Sequence, residues 1–274
     1  MSMAPWSISS ASSRTFPSGR PDRPTPTQFN PARLERAFFR PLRAWPLASA
    51  GFSSLKGNKM SAFLPNGTVY SIAATYGPAI PVTALTNAAP PVATAAAHGL
   101  VNGEILELTS GWVGLDGRPS RVSLSTAGTF GLEGYNTTNV QAYPALGGVG
   151  SVRKVLTWTQ ISQVLGNDSS GGEQQFVDWV YLEDGTQRRK PTYKNAKTLT
   201  LTLADDPSLA WNAILSAADF DGLPRILRAA LPQGGAIYYN VYVGFDSEPK
   251  LTANQINAVT ATFTSVGKLI RYAT

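Results

Sequence analysis

"KTLTLTLADDPSLAWNAILSAADFDG" (197–222) holds the two patterns from which the fold of this chain is read. In its first part Leu199, Leu201 and Leu203 alternate with Thr198, Thr200 and Thr202, the period of two of a strand with one apolar face. The pattern then changes. Asp206 is placed to cap a helix, Pro207 stands at the first helical turn, and Gly222 ends the element. Trp211, Ile214, Leu215 and Ala218 share one helical face, which predicts a principal helix packed on a sheet.

Strands are expected on both sides of this segment. Towards the C-terminus, "RILRAAL" (225–231), "AIYYNVYVGF" (236–245) and "AVTATFTSVGKLI" (258–270) read as strands, with "PQGG" (232–235) as a hairpin connection. Towards the N-terminus, "QQFVDWVYLE" (174–183), the turn Asp184-Gly185 and "TQRRKPTYK" (186–194) read as a hairpin. Pro191 marks its second arm as an edge or a bulge. "LGNDSSGGE" (165–173) reads as loop, "SVRKVLTWTQIS" (151–162) as extended and "GGVGS" (147–151) as a hinge.

Further upstream the strands are short and glycine-punctuated: "PVTAL" (81–85), "PVATAAA" (91–97), "EILELT" (104–109), "SRVSLS" (120–125) and "TFGLEG" (129–134). They predict a small β insert over 81–145. "TVYSIAATY" (68–76) reads as a strand of the main domain, which comprises 60–80 and 146–274. The expected class is mainly β (α+β), with one principal helix.

The chain has 274 residues and a formal charge of +6. That charge is unevenly placed. Residues 1–59 hold nine Lys+Arg against two acids, or +7; residues 60–274 hold fourteen against fifteen, or −1. The basic excess therefore lies in the leader and does not describe a nucleic-acid-binding face of the rest. The leader is rich in Ser, Pro and Arg, with eight prolines and no strand or helix period, and it is expected to be disordered. An organelle presequence has this composition. So does an upstream stretch read in frame before a true start at Met60. Lys56-Gly57-Asn58-Lys59 requires purine-rich codons just ahead of that methionine, which favours the Met60 start.

Residue types exclude several chemistries. With no cysteine, thiolate metal sites, disulfides and cysteine nucleophiles are absent. The chain's one histidine, His98 in "AHGLVNG", lies in an uncharged turn with no nucleophile motif beside it, and a packing role is expected. "GGVGSVRK" (147–154) lacks phosphate-loop spacing. Asp205 and Asp206 read as helix-cap acids rather than an acid–base pair, and Asp219 and Asp221 as water-facing or interfacial. Prolines and glycines break the uncharged stretch 60–103 into pieces too short to span a bilayer. No catalytic residue, cofactor site or metal site is expected, and the chain is read as not an enzyme. Many short strands with edges needing partners point instead to self-assembly.

"GVGSVRKVLTWTQISQVLGNDSSGGEQQFVDWVYLEDG", "KTLTLTLADDPSLAWNAILSAA" and the closing strands "AIYYNVYVGF" and "VTATFTSVGKLIRY" resemble the tail tube proteins of long, non-contractile-tailed bacteriophages and prophages. The insert is similar, more loosely, to a β module of assorted phage structural proteins. The resemblance implies a β-sandwich or barrel-like domain with a flanking helix. It also implies a homo-oligomer of six copies per ring, with rings stacked into a virion tail tube. Such a tube holds the tape-measure protein, meets terminator and tip proteins, and passes DNA without specific binding; it is assembled in the bacterial cytoplasm, away from membranes. Inter-ring contacts in the family use a long loop or hairpin. Here that maps to Asn167, Asp168, Glu173, Asp184, Gly185, Arg188, Arg189 and Lys190. A carbohydrate-binding or adhesive module is the alternative, suggested by Trp112, Trp158 and Trp179.

Overall fold

In the computed structural model, which describes residues 66–273, the Leu–Thr alternation forms a strand with Leu201 and Leu203 fully buried. The leader and the Met60 start lie outside the described residues. The chain divides into two units, Met1–Lys59 and Met60–Thr274, and every described residue belongs to the second. In chain order its elements are β1 (Val69–Tyr76), β2 (Ile80–Val82), β3 (Ala84–Leu85), β4 (Val92–Thr94), β5 (Ile105–Ser110), β6 (Pro119–Ser123), β7 (Thr129–Glu133) and β8 (Gly150–Ile161). There follow β9 (Val164–Ser170), β10 (Gln174–Val180), β11 (Gln187–Lys194), β12 (Thr198–Ala204), α1 (Ala210–Asp221), β13 (Arg225–Ala230), β14 (Ala236–Lys250), β15 (Ala258–Ser265) and β16 (Ile270–Tyr272). The chain is mainly β with one helix among the described residues, as expected.

Fourteen strands join one antiparallel, curled sheet. Its path is β3-β4-β7-β6-β5-β8-β1-β13-β14-β15-β12-β9, with β2 added to β8 and β16 to β14. Strands β10 and β11 form a separate two-stranded ribbon. The long strand β8 joins the two regions of the sheet. Its first residues pair with β2 and β5, and its later ones with β1.

Three apolar clusters follow from this path. The largest gathers alternate residues of β1, β12, β13, β14 and β15 beneath Trp211, Leu215 and Ala218 of α1. The second fills the region from Val82 to Val152 around Trp112, Leu115 and Phe130. A third, made of Ala73, Ile105, Val155, Ile226, Tyr238 and Tyr272, joins β5 to the opposite face of the main strands. Strand β1 is therefore buried on both faces: Tyr70 and Ile72 enter the first cluster and Ala73 the third.

Several expectations are corrected. The helix begins at Ala210, not near Pro207, and Leu209 stands at its N-cap without a side-chain cap bond. Asp206 is used one step earlier: its Oδ1 accepts the N–H and O–H of Ser208, closing a local turn. Gly222 does end the helix, in the left-handed region, donating its N–H to the Ala218 carbonyl. Asp219 and Asp221 are exposed, as expected, and each is also engaged locally. Asp219 accepts the Phe245 N–H, and Asp221 accepts the Leu223 N–H and pairs with Arg225.

The glycines of 147–151 do not act as a hinge. A Cβ on Gly148 would lie 2.9 Å from the Trp112 indole, and one on Gly150 would lie 2.0 Å from the Thr109 carbonyl oxygen. They permit close packing, and Gly150 is already paired within β8. Residues 258–270 form two strands, broken by a turn after Ser265. Finally, the segment expected to be a loop, 165–173, is strand β9 as far as Ser170. Its polar composition suits the outermost strand of a sheet, where only β12 is a neighbour and both faces reach water.

Candidate assembly interface

Strands β9 to β12 form one long hairpin with a break. The lower pair, β9 and β12, is sewn into the sheet from Val164↔Leu203 to Ser170↔Thr198. The upper pair, β10 and β11, runs from Gln174↔Lys194 to Val180↔Gln187 and stands apart as an arm. Gly171 and Gly172, with φ of +79° and +84°, make the break. The conformation requires glycine, and a Cβ at Gly171 would also meet the Ala196 carbonyl oxygen at 2.0 Å. Pro191 lies opposite Phe176, next to a register shift in this ribbon, as its place on an edge predicts.

The arm tip is longer than the two-residue Asp-Gly turn expected from the sequence. Residues 181–186 separate the two strands. Gly185 (φ +59°) donates its N–H to the Tyr181 carbonyl, and the Asp184 carboxylate accepts the Thr186 N–H. Asp184 thus organises a wider loop instead of sitting at the centre of a tight turn.

The eight residues read from the sequence fall in two places. Asn167 and Asp168 lie on β9, below the break. Asn167 donates to the Tyr70 hydroxyl at 3.0 Å, and Asp168 accepts the Ser169 N–H at 2.8 Å. The other six lie on the arm. Glu173 ties its base, accepting from both the backbone and the side chain of Asn195. Asp184 pairs with Arg188, whose guanidinium lies 4.5 Å from the Tyr181 ring centre. Arg189 pairs with Asp178 at 3.2 Å and covers the Phe176 ring at 4.3 Å. Lys190 stands opposite Val177 and is exposed. Two of the three cations are therefore occupied within the arm itself.

Charge reasoning missed the apolar residues of the arm. Phe176, Val177, Val180, Tyr181 and Tyr193 are all exposed, and Leu182 is fully so. They occupy both faces of the ribbon, since Phe176 and Val177 are consecutive. A two-stranded ribbon is marginal by itself in water, and none of its residues joins an apolar cluster. The signal in the sequence was the run Trp179-Val180-Tyr181-Leu182, which abandons alternation at a hairpin tip.

Residues singled out for other chemistry are structural. His98 is buried, its Nδ1 accepting the Leu100 N–H at 3.0 Å and its ring meeting Phe130 edge-on. Trp112 is in the second cluster and donates Nε1–H to the Pro144 carbonyl. Trp158 packs against Tyr238 beneath Arg228, while Trp179 is half-buried on the arm. Among the described residues no group of His, Asp and Glu is arranged to hold a metal ion, and no helix is long and apolar enough to cross a membrane.

A family profile described as phage tail tube protein, TTP, matches residues 110–274, from the end of β5 to the C-terminus. No curated protein matches the chain. Among solved structures, a virion of a native gene transfer agent particle is similar at 15% identity, with a TM-score of 0.35, over 42% of this chain and 89% of the other. The tail of an empty gene transfer agent particle, with C6 symmetry, is similar at 15% identity and a TM-score of 0.35, over 42% of this chain and 87% of its own.

Proposed function

The chain belongs to the phage tail tube protein family, and we propose that it acts there by self-assembly alone, without chemistry of its own. Six copies form a ring, and rings stack into the tube of a non-contractile virion tail. The tube is built in the bacterial host cytoplasm and holds the tape-measure protein. It is closed by terminator and tip proteins, and it conducts DNA during ejection without specific binding. The insert, residues 81–145, is placed on the outside of this tube.

One observation carries the reading. The arm is a ribbon with exposed apolar residues on both faces and no core of its own, projecting from the last strand pair of a sheet, and those residues call for burial against another copy. Near-neutral charge over residues 60–274 keeps repulsion between copies small. Electron microscopy of the purified chain, alone and with tail-tip components, tests the proposal. Rings or tubes of sixfold symmetry are expected, and a monomer under both conditions would overturn it.

A further inference from the structure

The main apolar cluster is not closed at the arm's base. A cavity of about 130 Å³ opens there, lined by Leu199, Leu227, Tyr239, Val241 and Phe263. Ser169, Ser170 and the exposed Lys197 stand among its lining residues, where β9 ends and β12 begins. We propose that this cavity receives the arm tip of a second copy, with Leu182 inserted and Tyr181 against the mouth. The inference rests on the tube reading and names the contact by which copies stack.

Three observations carry it. The first is shape: an engineered apolar cavity of about 150 Å³ admits benzene, so the space at the arm base suits one branched aliphatic side chain. Leu182 is the most exposed large apolar residue among those described. The second is charge. Glu183, adjacent to Leu182, makes no ion pair with a described residue, and neither does Lys197 at the cavity. Docking brings the carboxylate to the ammonium. The third is reach. The extended stretch from Gly172 to Leu182 is roughly 30 Å long at about 3.3 Å per residue, so a tip cannot return to its own base. Each copy then offers one tip and one cavity. Such a head-to-tail contact links successive copies, and it repeats along an axis unless the rotation between copies closes it into a ring.

The absence of cysteine from the chain makes the test direct. Full-length Thr186→Cys, labelled at the tip, is mixed with full-length Ser170→Cys, labelled at the cavity, and a short bismaleimide is added. Cross-linked heterodimer is expected to form at least about tenfold faster than in a control pair of Thr186→Cys with Val113→Cys, because docking raises the local thiol concentration. Adding Leu182→Asp or Glu183→Lys to the tip-labelled chain should remove the advantage. Lys197→Glu in the cavity-labelled chain should restore it to the Glu183→Lys partner. Cross-linking no faster than the control, in samples that still sediment as many-copy particles, overturns the cavity contact and leaves the tube reading standing. Preferential linking of two Thr186→Cys tips also overturns it. Monomers without cross-links overturn both.

Discussion

The Tyr272 hydroxyl accepts the Arg121 N–H and donates to the Glu133 carbonyl, both at 2.9 Å, while its ring lies under the Arg121 guanidinium. One phenol thus ties the C-terminal strand to β6 and β7. Tyr272→Phe keeps the ring but leaves a part-buried N–H and a carbonyl without their partner, at about 1–3 kcal/mol. A melting temperature lower by roughly 2–12 °C is expected in calorimetry. Burial pushes the Tyr272 hydroxyl up to about 12 against the hydrogen bond from Arg121, and burial pushes Tyr76 up to about 12 against that from Ile226. Both folded values lie above the unfolded value of about 10. Their contribution is therefore complete below pH ~10 and is lost as pH rises through the folded values. Ultraviolet titration should show tyrosines that ionise only as the protein unfolds between pH ~10 and ~12, with one fewer in Tyr272→Phe. At the acid end, the hydrogen bond from Arg121 holds the Glu133 carboxyl below its usual range, opposed by burial. That contribution is present above the unfolded value and is lost as pH falls through the folded one. Partial exposure of both side chains keeps it small.

The arm is an element that the sheet supports but does not need. Its residues join none of the three clusters, and Ser170 already faces Thr198 below the break. Replacing residues 172–196 with a short Asn-Gly turn should leave the melting temperature within a few degrees of the parent, since no core contact is removed. The same excision should abolish multi-copy particles in sedimentation velocity. A large loss of thermal stability would instead make the arm part of the fold. The insert is different. Strand β5 pairs with β8, Ile105 enters the third cluster, and Asn240 of β14 donates to the Gly117 carbonyl. Excising the proposed insert, residues 81–145, should keep the main cluster beneath α1 and a cooperative transition, but at a clearly lower melting temperature. Loss of any cooperative transition would show that the insert and main domain share one core.

For the whole molecule, the distribution of charge bears on whether the proposed tube would hold DNA. Arg188 and Arg189 are held by Asp184 and Asp178 of the same arm and lie over aromatic rings. Phosphate contacts by these cations would have to compete with the partners they already have in the arm. Triple replacement of Arg188, Arg189 and Lys190 by Glu should weaken the arm and with it assembly, yet leave DNA retention unchanged over a salt series. Salt-steep binding that the replacement removes would mark a phosphate-contacting surface.

Period-two alternation at 198–203 and the apolar helical face from Trp211 to Ala218 were legible because each is a local pattern with a local cause. The glycine that ends the helix, the place of Pro191 and the packing role of His98 were legible for the same reason. The eight candidate residues were drawn from a stretch read as a loop followed by a hairpin, and only the pairing of β9 with β12 made them parts of one hairpin. What chain order could not say is which side chains answer one another. Asp206 was free to cap the helix until Ser208 engaged it, and Gly147–Gly150 could be a hinge until Trp112 lay against them. Segment 165–170 is polar enough for a loop and became a strand because β12 supplied its hydrogen bonds. The strand and helix periods could be read without the fold, because they depend on neighbours two to four residues away. That the arm's apolar residues are exposed and free of the core is a tertiary result, because exposure depends on what packs against a residue from elsewhere in the chain.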